Sequence, residues 1–362
     1  MSGDAKYICG MEGGGTFSNL VICDFNQKVV AKIDGLGTNP FILGRTECAL
    51  RIIDMVNKGK KEAGISESEP LACLSLCLSG CEEKTANELL EKELRTLCPT
   101  LMERCLVHSD TMASMATVTD FGGMVLITGT GSNAILRNPD GAIYNCGGWG
   151  HLLGEKGSAW WISSTAIITV IEAHDEYSPC PFSTNKVWAD IKEYFNIKER
   201  LELLHHFYDK FEKNKVAGLC EKLAKSAESG DALCKFIFKE AGKCLARHVT
   251  ALLPLADDRL LDDYLTIVCV GSVWKSWQLL RDGFADILDD YYGIATPFVI
   301  NLVQLNVPAS IGAIYLAADD VKLKIKKDFD INSTVFFTYH SNVVNTFYIW
   351  LNLKNSITGG RT

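Results

Sequence analysis

Two short loops of nearly the same sequence are the residues best suited to chemistry. GTFSN occupies residues 15–19 and GTGSN occupies residues 129–133, and each loop lies between two apolar, strand-like runs. Glycines let backbone N–H groups converge on an anion without a side chain in the way, and hydroxyls add further donors. We therefore predict that both loops bind phosphate groups. The predicted contacts are Gly14, Gly15, Thr16, Ser18, Gly129, Thr130, Gly131 and Ser132.

Neither loop matches the common nucleotide-binding fingerprints. The Walker A pattern G-x-x-x-x-G-K-[ST] is absent, and the Gly35-x-Gly37 pair lacks the third glycine of the dinucleotide-binding motif. Both loops are instead expected to join antiparallel strands. Taken singly, each loop is interpreted equally well as an ordinary glycine hairpin turn. The match between the two favours a polyphosphate gripped from opposite sides of a cleft.

Asp110 is the candidate general base. It follows the apolar run Arg104–His108 and begins a predicted helix, at the carboxyl end of a strand, where α/β sheets expose functional side chains. A carboxylate there can accept the proton of an attacking hydroxyl. From position alone, a helix N-cap is an equally good interpretation. We set aside a Ser–His–Asp triad with Ser109 and His108, since three consecutive residues do not generally form one.

The elements around these residues repeat. A strand–glycine turn–strand–turn–strand unit at about residues 7–33 recurs at about residues 124–146. Further strands are predicted at 71–78, 104–108, 264–270 and 298–302, and helices at 40–63, 82–97, 110–117, 273–288 and 309–318, with a mainly helical stretch over 158–253. We therefore predict an α/β protein with two related domains, residues 1–119 and 120–320, followed by a tail, residues 321–362.

Composition argues against several classes of protein. Hydrophobic residues make up 47% and charged residues 22% of the 362 residues, as in globular proteins. The net charge of −8 comes without a basic patch, so nucleic acid is not an expected partner. No run of about 18 apolar residues predicts a membrane span. The fourteen cysteines include no C-x-x-C pair, so we expect buried free thiols in a cytoplasmic protein.

Six segments together resemble the eukaryotic N-acetylglucosamine kinases: EGGGTFSNLVI, GLGTNPF, TGTGSN, GGWGHLLG, RHVTALLP and CVGSVWKSW. The likeness runs in order from about Tyr7 to Ala318. It implies duplicated actin-like ATPase (ribonuclease H-like) domains with a central cleft, a fold shared by actin, sugar kinases and Hsp70-type ATPases. It also implies ATP-dependent phosphorylation of N-acetyl-D-glucosamine at the 6-hydroxyl, with ATP and Mg²⁺, by a homodimer.

The resemblance assigns roles to residues at matching positions. Asp110 falls on the catalytic aspartate of the family. Glu12 stands where related kinases often carry aspartate, and it is a candidate to hold a water bound to Mg²⁺. The expected sugar contacts are Asn39, Asp110, Gly148, Trp149, Gly150 and Glu155. Beyond the two loops, the expected nucleotide contacts are Gly218, Gly271, Ser272, Val273 and Ser276.

The chain departs from the family in the segment that follows the sugar loop. The family reads G-D-E-G-S, and residues 154–158 read GEKGS here. Glu155 keeps a carboxylate but adds a methylene, a change worth roughly 1–3 kcal/mol in a substrate pocket. Cys81 also replaces a glycine. Three alternatives therefore stay open: a kinase for another N-acetylhexosamine, a partner-activating ATPase of the same fold, and a sugar-binding protein with weak activity.

Further expectations concern packing and the tail. We expect His151 to be a hydrogen-bonded histidine behind the sugar loop, and Trp274 and Trp277 to pack their helix. The run Val335–Leu353 is expected to add a strand, to pack on the first domain or to be disordered. The tail is expected to begin with a solvated helix end that carries Lys322, Lys324, Lys326 and Lys327.

Overall fold

The structure is a computed structural model that describes residues 6–291 and 298–341. Within these residues, contacts divide the chain into two compact units, residues 6–121 with 303–336 and residues 122–302 with 337–341. This division differs from the expected one, which placed residues 303–320 in the second domain. The reason is the helix over residues 310–320, which packs on strands of the first unit.

The first unit begins with nine elements in chain order. They are β1 (Tyr7–Gly13), β2 (Phe17–Asp24), β3 (Val29–Leu36), α1 (Pro40–Leu43), α2 (Arg45–Glu62), β4 (Leu71–Leu78), α3 (Lys84–Leu97), β5 (Met102–His108) and α4 (Asp110–Ala116). The expected helix over residues 40–63 is broken in two, because Gly44 takes a non-helical conformation (φ 79°, ψ 154°).

The remaining helices and strands follow in chain order. They are β6 (Gly123–Thr128), β7 (Ser132–Arg137), β8 (Ile143–Gly147), α5 (Ala159–His174), α6 (Asn185–Phe195), α7 (Leu203–Phe207), α8 (Lys213–Glu228), α9 (Ala232–Leu252), β9 (Leu265–Val270), α10 (Trp277–Asp289), β10 (Val299–Leu305), α11 (Ser310–Asp320), α12 (Phe329–Asn332) and β11 (Ser333–His340). Short 3₁₀ turns lie at Arg200–Glu202, Leu253–Leu255, Asp258–Leu260 and Ser272–Ser276.

Two sheets repeat one topology, which confirms the predicted α/β fold with duplicated halves. The described strands of the first sheet run in the order β3-β2-β1-β4-β5, and those of the second in the order β11-β10-β9-β6-β7-β8. In each sheet the first three strands form an antiparallel meander, and the first strand of that meander then pairs in parallel with the next strand along the chain. The two glycine loops join equivalent strands, β1 to β2 and β6 to β7.

Parallel pairing in the first sheet aligns the ends of three strands. Glu12 of β1 lies opposite Cys77 of β4, and Cys77 lies opposite His108 of β5. The residues that follow these strands therefore meet at one edge of the sheet. That edge carries the first glycine loop and Asp110.

Helix α11 completes the first unit from a distant part of the chain. A methyl group at Gly10 would lie 2.5 Å from the amide nitrogen of Ile314, and one at Gly312 would lie 2.0 Å from the carbonyl oxygen of Ala113. Such close approach requires glycine at both contacts. Ser310 adds a buried hydrogen bond to Asn19.

The described part of the tail is ordered structure. Its last strand, β11, confirms the expectation of an added strand; residues 342–353 of the predicted run lie outside the described residues. The expectation of solvated lysines is wrong for Lys327, whose side chain is 14% exposed. Its ammonium pairs with Asp120 at 2.7 Å and with Asp319 at 2.8 Å, which ties the tail to the first unit.

The buried thiols and tryptophans agree with their expected roles. All fourteen cysteines are free, and ten of them are buried. Trp274 and Trp277 are buried, as expected, and both rings pack against Phe284. No helix among the described residues is long and apolar enough to cross a membrane.

Candidate active site

The first glycine loop is a closed hairpin turn between β1 and β2. Gly14 donates its N–H to the carbonyl of Phe17 at 2.9 Å, and Gly37 donates its N–H to the carbonyl of Thr16 at 3.0 Å. A methyl group at Gly37 would lie 2.4 Å from the carbonyl oxygen of Gly15. The residues after β3 therefore support the loop from behind, while Gly15 and Thr16 stay exposed at its tip.

The second glycine loop is held by a helix rather than by a strand end. Gly129 donates its N–H to the carbonyl of Gly131 at 2.9 Å, and Ala159, the first residue of α5, donates its N–H to Gly129 at 2.9 Å. Thr130, at the tip, is half-buried. The loop and the start of α5 thus form one hydrogen-bonded assembly.

Both loop serines differ from their expected role as phosphate donors. The hydroxyl of Ser18 is buried and lies 2.9 Å from the hydroxyl of Thr38. Ser132 is also buried and donates its hydroxyl hydrogen to the carbonyl of Lys156 at 2.8 Å. These hydroxyls fasten the loops to the fold. Thr16, which is exposed, Thr130, which is half-buried, and the backbone amides are the groups that remain for an anion.

Asp110 stands at the carboxyl edge of the first sheet, as the first residue of α4. Ser109 occupies the N-cap position, so Asp110 is not the cap that one interpretation proposed. The side chain is half-buried, and its pKa is raised to about 6, first by burial and then by the negative charge of Glu82. The Ser109 hydroxyl contacts Thr111 at 2.6 Å, which gives the triad interpretation no support.

Glu12 is the second carboxylate at this edge. It is half-buried near the end of β1, and its pKa is raised to about 7. Burial is the larger cause and the charge of Asp110 is the second. Carboxylates whose pKa values are raised by burial and by a neighbouring negative charge are a common feature of catalytic sites.

Asn39 is fixed between α1 and the end of β4. Its side-chain oxygen caps α1 by accepting the N–H groups of Phe41 at 2.8 Å and Ile42 at 3.3 Å. Its amide nitrogen donates to the Ser79 hydroxyl at 3.4 Å. An amide nitrogen carries two donor hydrogens, so one of them is left for a ligand.

The segment after β8 turns on glycines with positive φ. Gly148 (φ 77°) and Gly150 (φ 82°) flank Trp149, whose side chain is 72% exposed. Gly148 donates its N–H to the carbonyl of Ser132 at 3.1 Å. The predicted sugar loop is thereby attached to the strand that leaves the second glycine loop.

Glu155 has surroundings that the sequence did not indicate. The residue adopts φ 63°, unusual for a side chain other than glycine, and is 7% exposed. Its Oε1 lies 2.7 Å from Nζ of Lys213, and a methyl group at Gly131 would lie 2.5 Å from the same oxygen. The carboxylate therefore lies against the second glycine loop. Lys213 was missed because it begins α8 without any motif around it.

The predicted nucleotide segment also reaches the second loop. Gly271 (φ 110°) follows β9, and a methyl group there would lie 2.3 Å from the carbonyl oxygen of Thr128 and 2.9 Å from the amide nitrogen of Gly129. Ser272 is exposed and Ser276 is half-buried, whereas Val273 is 3% exposed. The side chain of Val273 therefore packs in the core.

Comparison with known proteins shows which family the chain belongs to. The model of the BadF/BadG/BcrA/BcrD ATPase family matches residues 9–317. The chain belongs to this family. Among curated relatives, an N-acetylmuramic acid/N-acetylglucosamine kinase of Clostridium acetobutylicum is 23% identical over 87% of this chain and 99% of its own length. An N-acetyl-D-glucosamine kinase of Dictyostelium discoideum is 24% identical over 88% of this chain and 99% of its own length.

Solved structures support the fold. A candidate N-acetylglucosamine kinase of Chromobacterium violaceum superimposes with a TM-score of 0.67 at 19% identity, covering 86% of this chain and 99% of the other. The bacterial and slime-mould relatives are about equally similar in sequence. The comparisons therefore support the actin-like ATPase fold of sugar kinases without singling out the eukaryotic branch.

Close packing surrounds two residues that the sequence singled out. Gly218 lies in α8, where a methyl group would be 2.2 Å from the Tyr194 hydroxyl, so a larger residue there would displace that side chain. The ring of His151 packs at 4.8 Å from the Trp160 ring and stacks at 5.1 Å on the Phe211 ring. Its surroundings are aromatic, in contrast to the hydrogen-bonded setting that we expected.

The protein also has an apolar cavity of about 670 Å³ beside the predicted sugar loop. Its walls include Leu152, Leu153, Trp160 and Phe207. None of the residues predicted to contact sugar or nucleotide lines it. Its lining does include His151, Gly154 and Lys156, which are neighbours in sequence of the predicted sugar contacts Gly150 and Glu155.

Proposed function

We propose that this chain is an ATP-dependent kinase that phosphorylates N-acetyl-D-glucosamine at the 6-hydroxyl, releasing N-acetylglucosamine 6-phosphate and ADP. The observation that carries the proposal is Asp110, a half-buried carboxylate at the carboxyl edge of three parallel strands, with its pKa raised to about 6. Such a group is ionised at neutral pH and still basic enough to accept a proton. The names of the two curated relatives supply the reaction class and the sugar.

In the proposed reaction, Asp110 accepts the proton of the 6-hydroxyl while the oxygen attacks the γ-phosphorus of ATP. A new P–O bond forms to the sugar, the bond to the β-phosphate oxygen breaks, and ADP leaves with that electron pair. The glycine loops bind the phosphates through backbone N–H groups, aided by Thr16 and Thr130. Catalysis by such sites rests on positioning and charge stabilisation.

Mg²⁺ fits the carboxylates of the first unit. Burial and, second, the negative charge of Asp110 raise the pKa of Glu12, and a divalent cation would offset both effects. Mg²⁺ prefers oxygen ligands and retains several waters. Glu12 is therefore the residue that we propose to hold the ion, through a bound water. When bound, Mg²⁺ neutralises charge on the transferred phosphate.

We assign sugar binding to the residues that the family resemblance implies. Asn39 offers one amide hydrogen, and Gly148, Trp149 and Gly150 offer an exposed loop with backbone donors and a broad aromatic face. Glu155 belongs to the same set, and its carboxylate is already engaged by Lys213.

Two further candidates have specific support. The Clostridium relative is named for N-acetylmuramic acid as well as N-acetylglucosamine, which favours a test of other N-acetylhexosamines. The matched family is a family of ATPases, which favours a test of ATP turnover without sugar.

One assay separates these candidates. ADP release is measured with ATP and Mg²⁺, without sugar, with N-acetylglucosamine and with N-acetylmuramic acid, and the product is analysed by NMR for the phosphorylated hydroxyl. Turnover that depends on N-acetylglucosamine and yields the 6-phosphate supports the proposal. Equal turnover with and without sugar would replace it with the partner-activating ATPase, and sugar binding without turnover would indicate the weak sugar-binding protein.

We also propose a cytoplasmic location, supported by fourteen cysteines that are all free. The homodimer stays a prediction from the family resemblance, and sedimentation analysis of the purified chain would test it.

A further inference from the structure

An ion pair lies against the second glycine loop. Glu155 Oε1 and Lys213 Nζ are 2.7 Å apart, and both atoms approach Gly131. A methyl group at Gly131 would lie 2.5 Å from the carboxylate oxygen and 3.4 Å from the ammonium nitrogen. The pair therefore contacts a backbone position that the proposed function assigns to phosphate binding.

The carboxylate of this pair is incompletely compensated. Glu155 is 7% exposed, and its second oxygen, Oε2, is buried without a hydrogen-bond partner among the described residues. A buried carboxylate beside a polyphosphate site repels the ligand unless a cation offsets it. Lys213 is the cation in direct contact, so the charge balance of the loop depends on it.

Lys213 has more hydrogen-bond donors than its contact with Glu155 uses. An ammonium carries three donor hydrogens, and the contact with Glu155 uses one. The side chain is 30% exposed, so its remaining donors can reach a ligand. Lysine is a common point-charge ligand for phosphate.

We propose that Lys213 is a phosphate-binding residue of the second loop, and that Glu155, which pairs with its ammonium beside Gly131, competes with the phosphate for it. The inference rests on the proposed function in one respect, that the second loop binds the phosphates of ATP. It adds a residue that neither the sequence pattern nor the family resemblance indicated. It also gives Glu155 a role in limiting the affinity of the loop for phosphate.

The test is calorimetric titration of the full chain with a non-hydrolysable ATP analogue and Mg²⁺, without sugar. We expect Lys213→Met to raise the Kd about tenfold or more, since a charged phosphate contact is lost. Adenosine should bind Lys213→Met and the wild type equally. Glu155→Gln should lower the Kd for the analogue severalfold, because repulsion is removed and the lysine is released.

Lys222→Met is the matched control. Lys222 lies on the same helix, pairs with Glu193 at the same 2.7 Å and is 27% exposed, so its loss removes an equivalent ion pair away from the loop. Its Kd should equal that of the wild type. If Lys213→Met unfolds, Lys213→Gln with a thermal melt replaces it.

Opposite effects of the two loop variants are the signature of the proposal. If both weaken binding equally, or if adenosine binding falls with that of the analogue, the pair is merely structural and the proposal fails. It also fails if the wild type does not bind the analogue. A wild type that binds the analogue but shows no sugar-dependent turnover refutes the proposed function and leaves this inference standing.

Discussion

The two glycine loops have almost the same residues but different neighbours. The first is supported by the residues that follow β3 and lies at the sheet edge that carries Glu12 and Asp110. The second is bound to the start of α5 and contacts the Glu155–Lys213 ion pair. Duplication thus repeated the turn, while different charged residues surround each copy: Glu12 and Asp110 at the first loop, and Glu155 and Lys213 at the second.

The difference in charge suggests that the two loops have different functions. Carboxylates with raised pKa values suit proton transfer and a cation, whereas a lysine suits an anion. The first loop belongs to the half that we expect to perform chemistry, and the second to the half that we expect to retain ATP. The predictions below test this contrast.

The largest expected effect is on catalysis by the first unit. Asp110→Asn should lower kcat by about 10²–10⁴-fold, the range contributed by general acid–base catalysis. Binding of an ATP analogue should be unchanged. Asp54→Asn, which removes an equal charge from an exposed helical ion pair, is the control and should keep full activity. Retained activity in Asp110→Asn would show that the base lies elsewhere.

The glycines behind the loops should differ in their effect on stability. Gly271 has positive φ, and a methyl group there would lie 2.3 Å from a backbone oxygen. We therefore expect Gly271→Ala to lower the free energy of unfolding, measured in urea, by about 2–5 kcal/mol. Gly37→Ala, with a 2.4 Å contact to the exposed tip of the first loop, should cost about 1–3 kcal/mol. Gly64→Ala, with positive φ in open space, is the control at about 1 kcal/mol. Equal costs for all three would contradict this account.

Removal of a carboxylate should change the stability of the fold in opposite directions at the two loops. The pKa of Glu12 is about 7 in the fold against 4.5 in the unfolded chain, so ionisation above pH 7 destabilises the protein and this penalty vanishes below pH 4.5. Glu12→Gln should therefore raise stability at about pH 8 by about 1–3 kcal/mol and change nothing near pH 4.

Glu155→Gln should instead lower stability at about pH 8 by about 1–3 kcal/mol, because a charged hydrogen bond is lost. Thermal melts at both pH values provide the comparison. Stabilisation by Glu155→Gln, or destabilisation by Glu12→Gln, would contradict the expectation that the two carboxylates affect stability in opposite ways.

The smallest effect concerns the pH profile. Asp110 must be ionised to act as a base, so kcat/KM should fall as the pH drops through about 6. Glu82→Gln removes a charge that raises the pKa of Asp110, and the acidic limb should move to lower pH by about a few tenths of a unit, less at high salt. Glu88→Gln, on the following helix, should leave the limb in place. A shift to higher pH would contradict the assignment.

Much of the fold was predictable because its signals are local. The apolar runs of β1 and β6, the matched turns and the helical spacing of Trp274 and Trp277 can all be recognised within short windows of sequence. The break at Gly44 was missed because a single glycine inside a helical pattern is usually tolerated.

The site was predictable only in part. Asp110 and the loops are candidates that residue type and position in the sequence were enough to select. Lys213 meets Glu155 across 58 residues, and Lys327 meets Asp120 across 207. Ser18 and Ser132 could not be assigned from sequence, since their hydroxyl partners are set by tertiary packing. Long-range pairs of this kind leave no periodic trace in one sequence.

Synthesis on the ribosome separates the two parts of the first unit. Roughly 180 residues of the second unit are made between them, an interval of roughly 10–40 s at typical elongation rates. Until α11 is synthesised, Ile8, Val21 and Ala72 lack the helix that packs on them in the finished protein. The newly made N-terminal half is therefore the form of this protein most exposed to aggregation.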